Sequence, residues 1–161
     1  MSGIGSHQKT KGVTDNWLTP PDIVEQLGPF DLDPCANARQ PWDTAQHHYT
    51  VWDDGLRQRW FGRVWLNPPY SNIKQWMAQM AEHNNGIALV FARTETAFWF
   101  DYIWTRATAI CFLRGRLYFH YPDGSRAKAN AGGPHALVAY GDENALAFDE
   151  DPGIAGKVVY P

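Results

Sequence analysis

Arg63-Val64-Trp65-Leu66-Asn67-Pro68-Pro69-Tyr70 is the stretch on which the fold turns. Its first four residues read as a buried strand. The chain must then leave the ladder, because Pro68 and Pro69 have no amide hydrogen to give. Ser71 or Asn72 can cap a helix beyond them, in which Ile73, Trp76, Met77, Met80 and Ala81 recur at helical spacing. Asn85-Gly86 closes that helix, and Gly86 to Phe91 is the next strand.

The same alternation extends in both directions. Upstream, Thr19 before Pro20-Pro21 predicts a helix start, with the hydroxyl as cap and proline in the first turn. Ile23, Val24 and Leu27 form its apolar face, and Gly28-Pro29 ends it. Phe30 to Asp33 is a short alternating strand that stops at Pro34. A polar stretch follows through Gln46, and a short strand is expected around His48 to Trp52. Downstream, Thr94 or Thr96 starts a helix carrying Phe100, Ile103 and Trp104. Strands are expected at Ala109 to Leu113, Leu117 to Tyr121 and Ala136 to Tyr140. A loop rich in Gly, Ala and Pro runs from Pro122 to Pro134, and the tail from Asp142 reads as irregular. Helices and strands that alternate, then strands alone, argue an α/β sheet with helices on its faces and an antiparallel edge. Residues 1–14 are polar and read as a flexible N-terminal arm, leaving 15–161 as a single domain.

Composition narrows the class. The chain has 161 residues, 44% hydrophobic and 19% charged, as in an ordinary globular protein. No apolar run could span a membrane, and no signal-peptide pattern opens the sequence, so a cytoplasmic protein is expected. Cys35 and Cys111 form no disulfide framework. His47, His48, His120 and His135 lack metal-site spacing, so no metal is expected. The net charge of −3 speaks against bulk nucleic-acid binding but not against a local basic face.

The chemistry concentrates in Asn67-Pro68-Pro69-Tyr70. An aromatic amine is a poor nucleophile because its lone pair is delocalised into the ring. A site that accepts hydrogen bonds from both amine hydrogens makes the nitrogen more pyramidal and frees the lone pair. The Asn67 side-chain oxygen is one such acceptor and the Pro68 carbonyl the other. Each proline restricts the residue before it to extended backbone, so both acceptors are held in fixed directions. Tyr70 offers a flat face on which an extruded base can stack. Out of context the tetrapeptide is a rigid turn. Here it follows a buried strand and precedes an amphipathic helix, which is where open α/β sheets bind ligands.

Weaker signals accompany it. Asp33 ends a strand and can bind an amino or ribose group, and the small residues Cys35 and Ala36 after Pro34 would let a ligand approach the backbone. Asp53-Asp54-Gly55-Leu56 reads as a solvated turn, or as carboxylates near an adenosine. Thr14 to Pro21 reads, alone, as a helix cap.

In order, Trp17-Leu18-Thr19-Pro20-Pro21, Phe30-Asp31-Leu32-Asp33-Pro34-Cys35-Ala36, Asp53-Asp54-Gly55-Leu56 and Trp65-Leu66-Asn67-Pro68-Pro69-Tyr70 resemble the phage-type, Dam-like DNA N6-adenine methyltransferase family. Phe91 to Thr96, Phe112 to Leu117 and Pro134 to Tyr140 extend the resemblance to about Asp15–Gly141. It implies a compact class I, Rossmann-like methyltransferase sheet, S-adenosylmethionine as donor, and adenine in DNA as acceptor. It makes Asn67, Pro68, Pro69 and Tyr70 the catalytic set. It assigns Trp17, Thr19, Pro20, Asp33, Pro34, Cys35, Ala36, Asp53 and Asp54 to the cofactor. Arg93, Arg114 and Arg116, which follow strands, are the candidates for DNA phosphate, with Arg126 and Lys128 from the loop. A monomer is favoured, and a phage or prophage setting, with protection from restriction, fits the family.

Two departures stand out. No Gly-x-Gly loop follows the first strand, where Pro34-Cys35-Ala36-Asn37 stands instead. Only about thirty residues separate Asp33 from Asn67, so intervening helices must be short or absent. Two alternatives remain at this point: a methyltransferase of the same fold acting on RNA base amines or protein glutamine, and a non-catalytic binding module with a degenerate cofactor site.

Overall fold

The computed structural model describes residues 16–150 and 153–161. The expected arm at 1–14 lies outside them. Among the described residues, three α-helices and seven strands follow one another as α1 (Pro21–Leu27), β1 (Leu32–Asp33), β2 (His47–His48), β3 (Val64–Leu66), α2 (Ile73–His83), β4 (Gly86–Phe91), β5 (Ala109–Leu113), β6 (His135–Tyr140), α3 (Asp142–Leu146) and β7 (Gly156–Val159). The strands form one sheet in the order β2-β1-β3-β4-β6-β5-β7. The first four are mutually parallel, while β6 is antiparallel to both β4 and β5, and β7 to β5.

The period of two along each strand sorts the core onto two faces. Val64, Leu66, Ala88, Val90, Val138 and Tyr140 point to one, where Trp76, Met77 and Met80 of α2 cover them with Trp99 and Ile103. Trp65, Ile87, Leu89, Leu137, Ala139 and Cys111 point to the other, under Ile23, Val24 and Leu27 of α1 and the rings of Phe30, Phe119 and Phe148. The apolar stripes read from the sequence on both helices are thus the buried faces.

Several sequence expectations give way to tertiary pairing. Thr19 does not cap α1: Pro20 takes the cap position without a side-chain bond, and the Thr19 hydroxyl is buried elsewhere. Asn72 does take the cap position of α2, but it too makes no side-chain cap bond, and the helix is entered through a 3₁₀ turn at Tyr70–Asn72. The strand expected at His48 to Trp52 stops at His48, because the Asp53 carboxylate accepts from the Thr50 amide and hydroxyl and closes a turn instead. Around Trp99–Trp104 the backbone is π-helical, which turns Phe100 outward and puts Phe98, Trp99 and Ile103 inside. Leu117 to Tyr121 is not a strand of the sheet. Its backbone bonds run to Leu18, Ser125, Ala127 and Ala131, so it folds over the sheet edge as part of a loop. The tail, expected to be irregular, supplies α3 and β7.

One buried polar node ties the strand starts together. Arg63 Nε donates to Asn144 Oδ1 at 2.6 Å, while Asn144 Nδ2 donates to Asn85 Oδ1 at 2.9 Å and to the Tyr140 carbonyl at 2.8 Å. The half-buried Arg63 guanidinium also reaches the Pro29 carbonyl and lies 4.4 Å from the Phe30 ring centroid. Asn144 is 1% exposed, so truncation strands its partners without water. Asn144→Ala is expected to lower the unfolding free energy by about 2–3 kcal/mol, read from urea titrations.

Candidate active site

Sheet polarity puts the singled-out residues on one edge. β1, β3 and β4 are parallel, and β5, antiparallel to β6, runs with them. Their carboxyl ends carry Asp33, Asn67, Arg93 and Arg114 to the same side. A cleft of about 1390 Å³ opens there. Trp17, Thr19, Asp33, Pro34, Cys35, Ala36, Asp54, Asn67, Pro68, Pro69, Tyr70 and Arg93 all line it. Pro20, Asp53, Arg114, Arg116, Arg126 and Lys128 do not. The Asp53 carboxylate is taken up by Thr50, and the Arg126 guanidinium lies over the Tyr118 ring at 4.1 Å.

At the end of β3 the geometry is fixed by a bond the sequence did not announce. Asn67 Nδ2 donates to the Trp17 carbonyl at 3.0 Å. That contact uses the nitrogen end of the amide and so determines which end is left as acceptor. Pro69 is extended (φ −65°, ψ 142°), and Tyr70 begins the 3₁₀ turn. The Tyr70 ring, 43% exposed, meets the Phe91 ring edge-on at 6.1 Å, with the Arg93 guanidinium 5.1 Å from its centroid. One face of the motif is therefore a fixed acceptor and the next a supported aromatic plate.

On the β1 side, Asp33 is buried. Its Oδ1 accepts from the Cys35 amide at 3.0 Å and its Oδ2 from the Thr44 hydroxyl. Burial nonetheless pushes its pKa up to about 6, against the lowering from Thr44, Cys35 and His48. Burial, reinforced by the Asp33 charge, pushes the Cys35 thiol up as well, so it is a packing residue and not a nucleophile. The 53–56 turn packs closely against this strand end. A Cβ on Gly55 would lie 1.9 Å from the Pro34 carbonyl oxygen, which only glycine permits. Asp54 stands at the cleft beside it, paired with Arg57 at 3.3 Å.

Three buried side-chain atoms among the described residues lack a hydrogen-bond partner: Thr19 Oγ1, Trp76 Nε1 and His135 Nδ1. All three residues line this cleft. Buried polar atoms are normally paired, so three orphans among the residues of one cleft stand out. Trp76 and His135 were not read as site residues. At helical spacing Trp76 is indistinguishable from core, and a histidine opening a strand carries no signal of its own. Burial pushes His135 down to about 4, with the nearby Gly133 carbonyl offsetting part of the effect. Among the described residues no group of three or more His, Cys, Asp or Glu could hold a metal ion, and no helix is long and apolar enough to cross a membrane.

Comparison with known proteins places the chain. The model of the DNA N-6-adenine-methyltransferase (Dam) family matches residues 5–143. A DNA N-6-adenine-methyltransferase of Escherichia phage T1 is 32% identical in an alignment 116 residues long that covers 65% of this chain and 47% of that protein. The chain thus spans about half the length of this curated relative. No solved structure matches it.

Asp33 and His135 titrate in opposite senses. Asp33, raised from 3.8 to about 6, contributes stability that is present below its unfolded pKa and lost as pH rises through 6. His135, lowered from 6.5 to about 4, contributes stability that is present above its unfolded pKa and lost as pH falls through 4. At about 1.4 kcal/mol per unit, each is worth about 3 kcal/mol over overlapping windows. Between pH 6 and 4, Asp33→Asn should lose about 3 kcal/mol relative to wild type and His135→Phe should gain about as much. Denaturant midpoints across that range check both.

Proposed function

We propose that this chain, which belongs to the DNA N-6-adenine-methyltransferase (Dam) family, methylates the exocyclic amine of adenine in DNA with S-adenosylmethionine as donor. The observation that carries the reading is the Asn67 amide, anchored through its nitrogen on Trp17 beside an extended Pro-Pro backbone. The strand order supports a class I, Rossmann-like arrangement over 15–161. The chain passes from β1 to β2 on one side and then to β3 on the other, and ligands of such sheets lie at that switch point.

The cleft fits the cofactor in its donor set. Thr19 and Trp76 line it and carry buried unpaired polar atoms, and Asp33 is a carboxylate suited to an ammonium or ribose hydroxyl. Asp33, Pro34, Cys35 and Ala36 from the β1 end, Asp54 from the turn, and Trp17 and Thr19 before α1 would hold it. The bound sulfonium supplies an electrophilic methyl group. The rest falls to this chain's residues. Asn67 Oδ1 and the Pro68 carbonyl accept the two amine hydrogens and direct the nitrogen lone pair. Tyr70, braced by Phe91 and Arg93, stacks on the extruded base. No strong base is needed before transfer, because the methylated nitrogen is acidic and gives up its proton readily. Arg93, with Arg114 and Arg116 on the same edge and Arg126 and Lys128 on the loop, would take backbone phosphates.

The test is methyl transfer from labelled S-adenosylmethionine to unmethylated DNA, digested to nucleosides. Wild type should put label in N6-methyladenosine. Asn67→Ala should lose about a hundredfold or more in rate while its cofactor affinity stays within a few-fold of wild type. Label in RNA or protein but never in DNA would overturn the reading. In calorimetry, wild-type affinity for S-adenosylmethionine should fall as pH drops below about 6, as Asp33 takes up its proton, and Asp33→Asn should abolish that dependence.

A further inference from the structure

The bond that orients Asn67 is made to the backbone of Trp17, and that backbone is itself held from its other side. The Trp17 carbonyl and the Leu18 amide are the two ends of one peptide group. That group is planar and trans, so the two point in opposite directions. At one end the carbonyl accepts from Asn67 Nδ2 at 3.0 Å. At the other the Leu18 amide donates to the His120 carbonyl at 2.9 Å, and the His120 amide returns a bond to the Leu18 carbonyl, also at 2.9 Å. Leu18 and His120 thus form a single antiparallel rung. Trp17 and Tyr121 face each other beside it, with ring centroids 5.2 Å apart and planes tilted by 39°.

The His120 side of this rung is braced. The Tyr121 amide donates to the Ser125 carbonyl and the Gly124 amide to the Tyr121 carbonyl, both at 2.8 Å, which closes a tight turn over 121–125. Asp123 Oδ1 fastens that turn, accepting from the Ser125 amide at 2.8 Å and the Ser125 hydroxyl at 2.6 Å. His120 Nδ1 donates to the Gly124 carbonyl at 2.9 Å, and the Trp42 and His120 rings meet edge to face at 5.3 Å. A fixed carbonyl at Trp17 matters because an asparagine amide has two opposite ends. Rotated by half a turn, Asn67 would set its own NH2 against an amine, donor against donor. The Trp17 carbonyl only accepts, so it selects the orientation that leaves Asn67 Oδ1 free to accept.

We propose that Tyr121 is a positioning residue for methyl transfer: with the His120 backbone it holds the Trp17–Leu18 peptide, and that peptide holds the Asn67 amide in its accepting orientation. The proposal rests on the function put forward above and adds to it a residue that acts through Asn67. One peptide group carries both bonds, so a tilt at the His120 end is felt at the Asn67 end, and bonds chained in this way also polarise one another. The Tyr121 ring opposes that tilt by pinning the Trp17 ring. Asn67 accepts most strongly when the amine nitrogen becomes pyramidal, so loosening it slows the chemical step more than it weakens the hold on DNA. The loop after β5, which carries Arg126 and Lys128, is thereby built into the catalytic end of β3.

The experiment measures transfer of labelled methyl from S-adenosylmethionine to adenine in unmethylated plasmid DNA by wild type, Tyr121→Phe, Tyr121→Ala, Asn67→Ala and the double variant of the last two. Tyr121→Phe keeps the ring and should stay within about twofold of wild type. Tyr121→Ala should lose about tenfold in kcat, with KM for DNA within a few-fold. In the Asn67→Ala background the same substitution should cost less than about twofold. Tyr121 also lines the cleft, and a ring that touched a ligand directly would keep its effect without Asn67. In nitrogen-edited spectra of the free wild-type protein, one proton of the Asn67 side-chain amide should lie downfield and exchange slowly, and Tyr121→Ala should return it toward the position of an exposed asparagine. A wild-type Asn67 amide that exchanges like an exposed one overturns the proposal, whether or not any variant folds. So does a folded Tyr121→Ala with wild-type kcat, or one whose loss survives in full on Asn67→Ala. Wild-type protein that methylates no adenine in plasmid DNA removes the underlying reading and this one with it.

Discussion

Two adjacent prolines end β3, and most of the site follows from what they withhold. A strand inside a parallel sheet continues as long as each residue can donate to its neighbour. Pro68 and Pro69 cannot, so the ladder stops at Leu66 and the next backbone is extended and free of the sheet. Its carbonyls are then acceptors in search of donors, on the edge where the parallel strands end. The Trp17 carbonyl completes the arrangement by holding the Asn67 amide through its nitrogen. What would be a defect in a sheet becomes a fixed pair of acceptors.

The fold around this edge is spare. β1 and β2 have two residues each and β3 has three. Such strands are too short to hold a site by their ladders alone. Side chains and loops make up the difference: Asp33 is tied to Thr44 and Cys35, the 53–56 turn presses on Pro34, and Trp60 donates to the Gly55 carbonyl at 2.8 Å. Gly55 lets that turn lie directly against the Pro34 carbonyl, which a side chain there would prevent.

The long, strongly patterned elements were legible from sequence. Gly86–Phe91 and Ala109–Leu113 are apolar runs bounded by breakers, and α2 shows its buried stripe directly. Elements that exist only by tertiary pairing were not. Gly156–Val159 has no strand signature beyond two valines and is a strand because β5 offers it an edge. Leu117 to Tyr121 has the right residues for a strand, but its hydrogen bonds go to Leu18 and to its own loop. Phe100 faces out because an extra residue per turn shifts the face. In the site, Asn67, Tyr70 and Asp33 were readable because their chemistry is tied to a local motif. Trp17's anchoring carbonyl and the unpaired His135 were not, since a backbone oxygen has no sequence signature and an orphaned nitrogen is visible only in three dimensions.

Strand β7 also changes what the β5 side of the sheet offers to other chains. Without it, β5 would offer Ala109–Leu113, apolar and regular, as an open template for the strand of a neighbouring molecule. With it, the outermost strand on that side is four residues long, carries Lys157 at an exposed position and is followed within two residues by Pro161. On the opposite side β2 has only His47 and His48. Among the described residues, each border of the sheet is thus short, charged or soon interrupted, features that disfavour edge pairing with another chain.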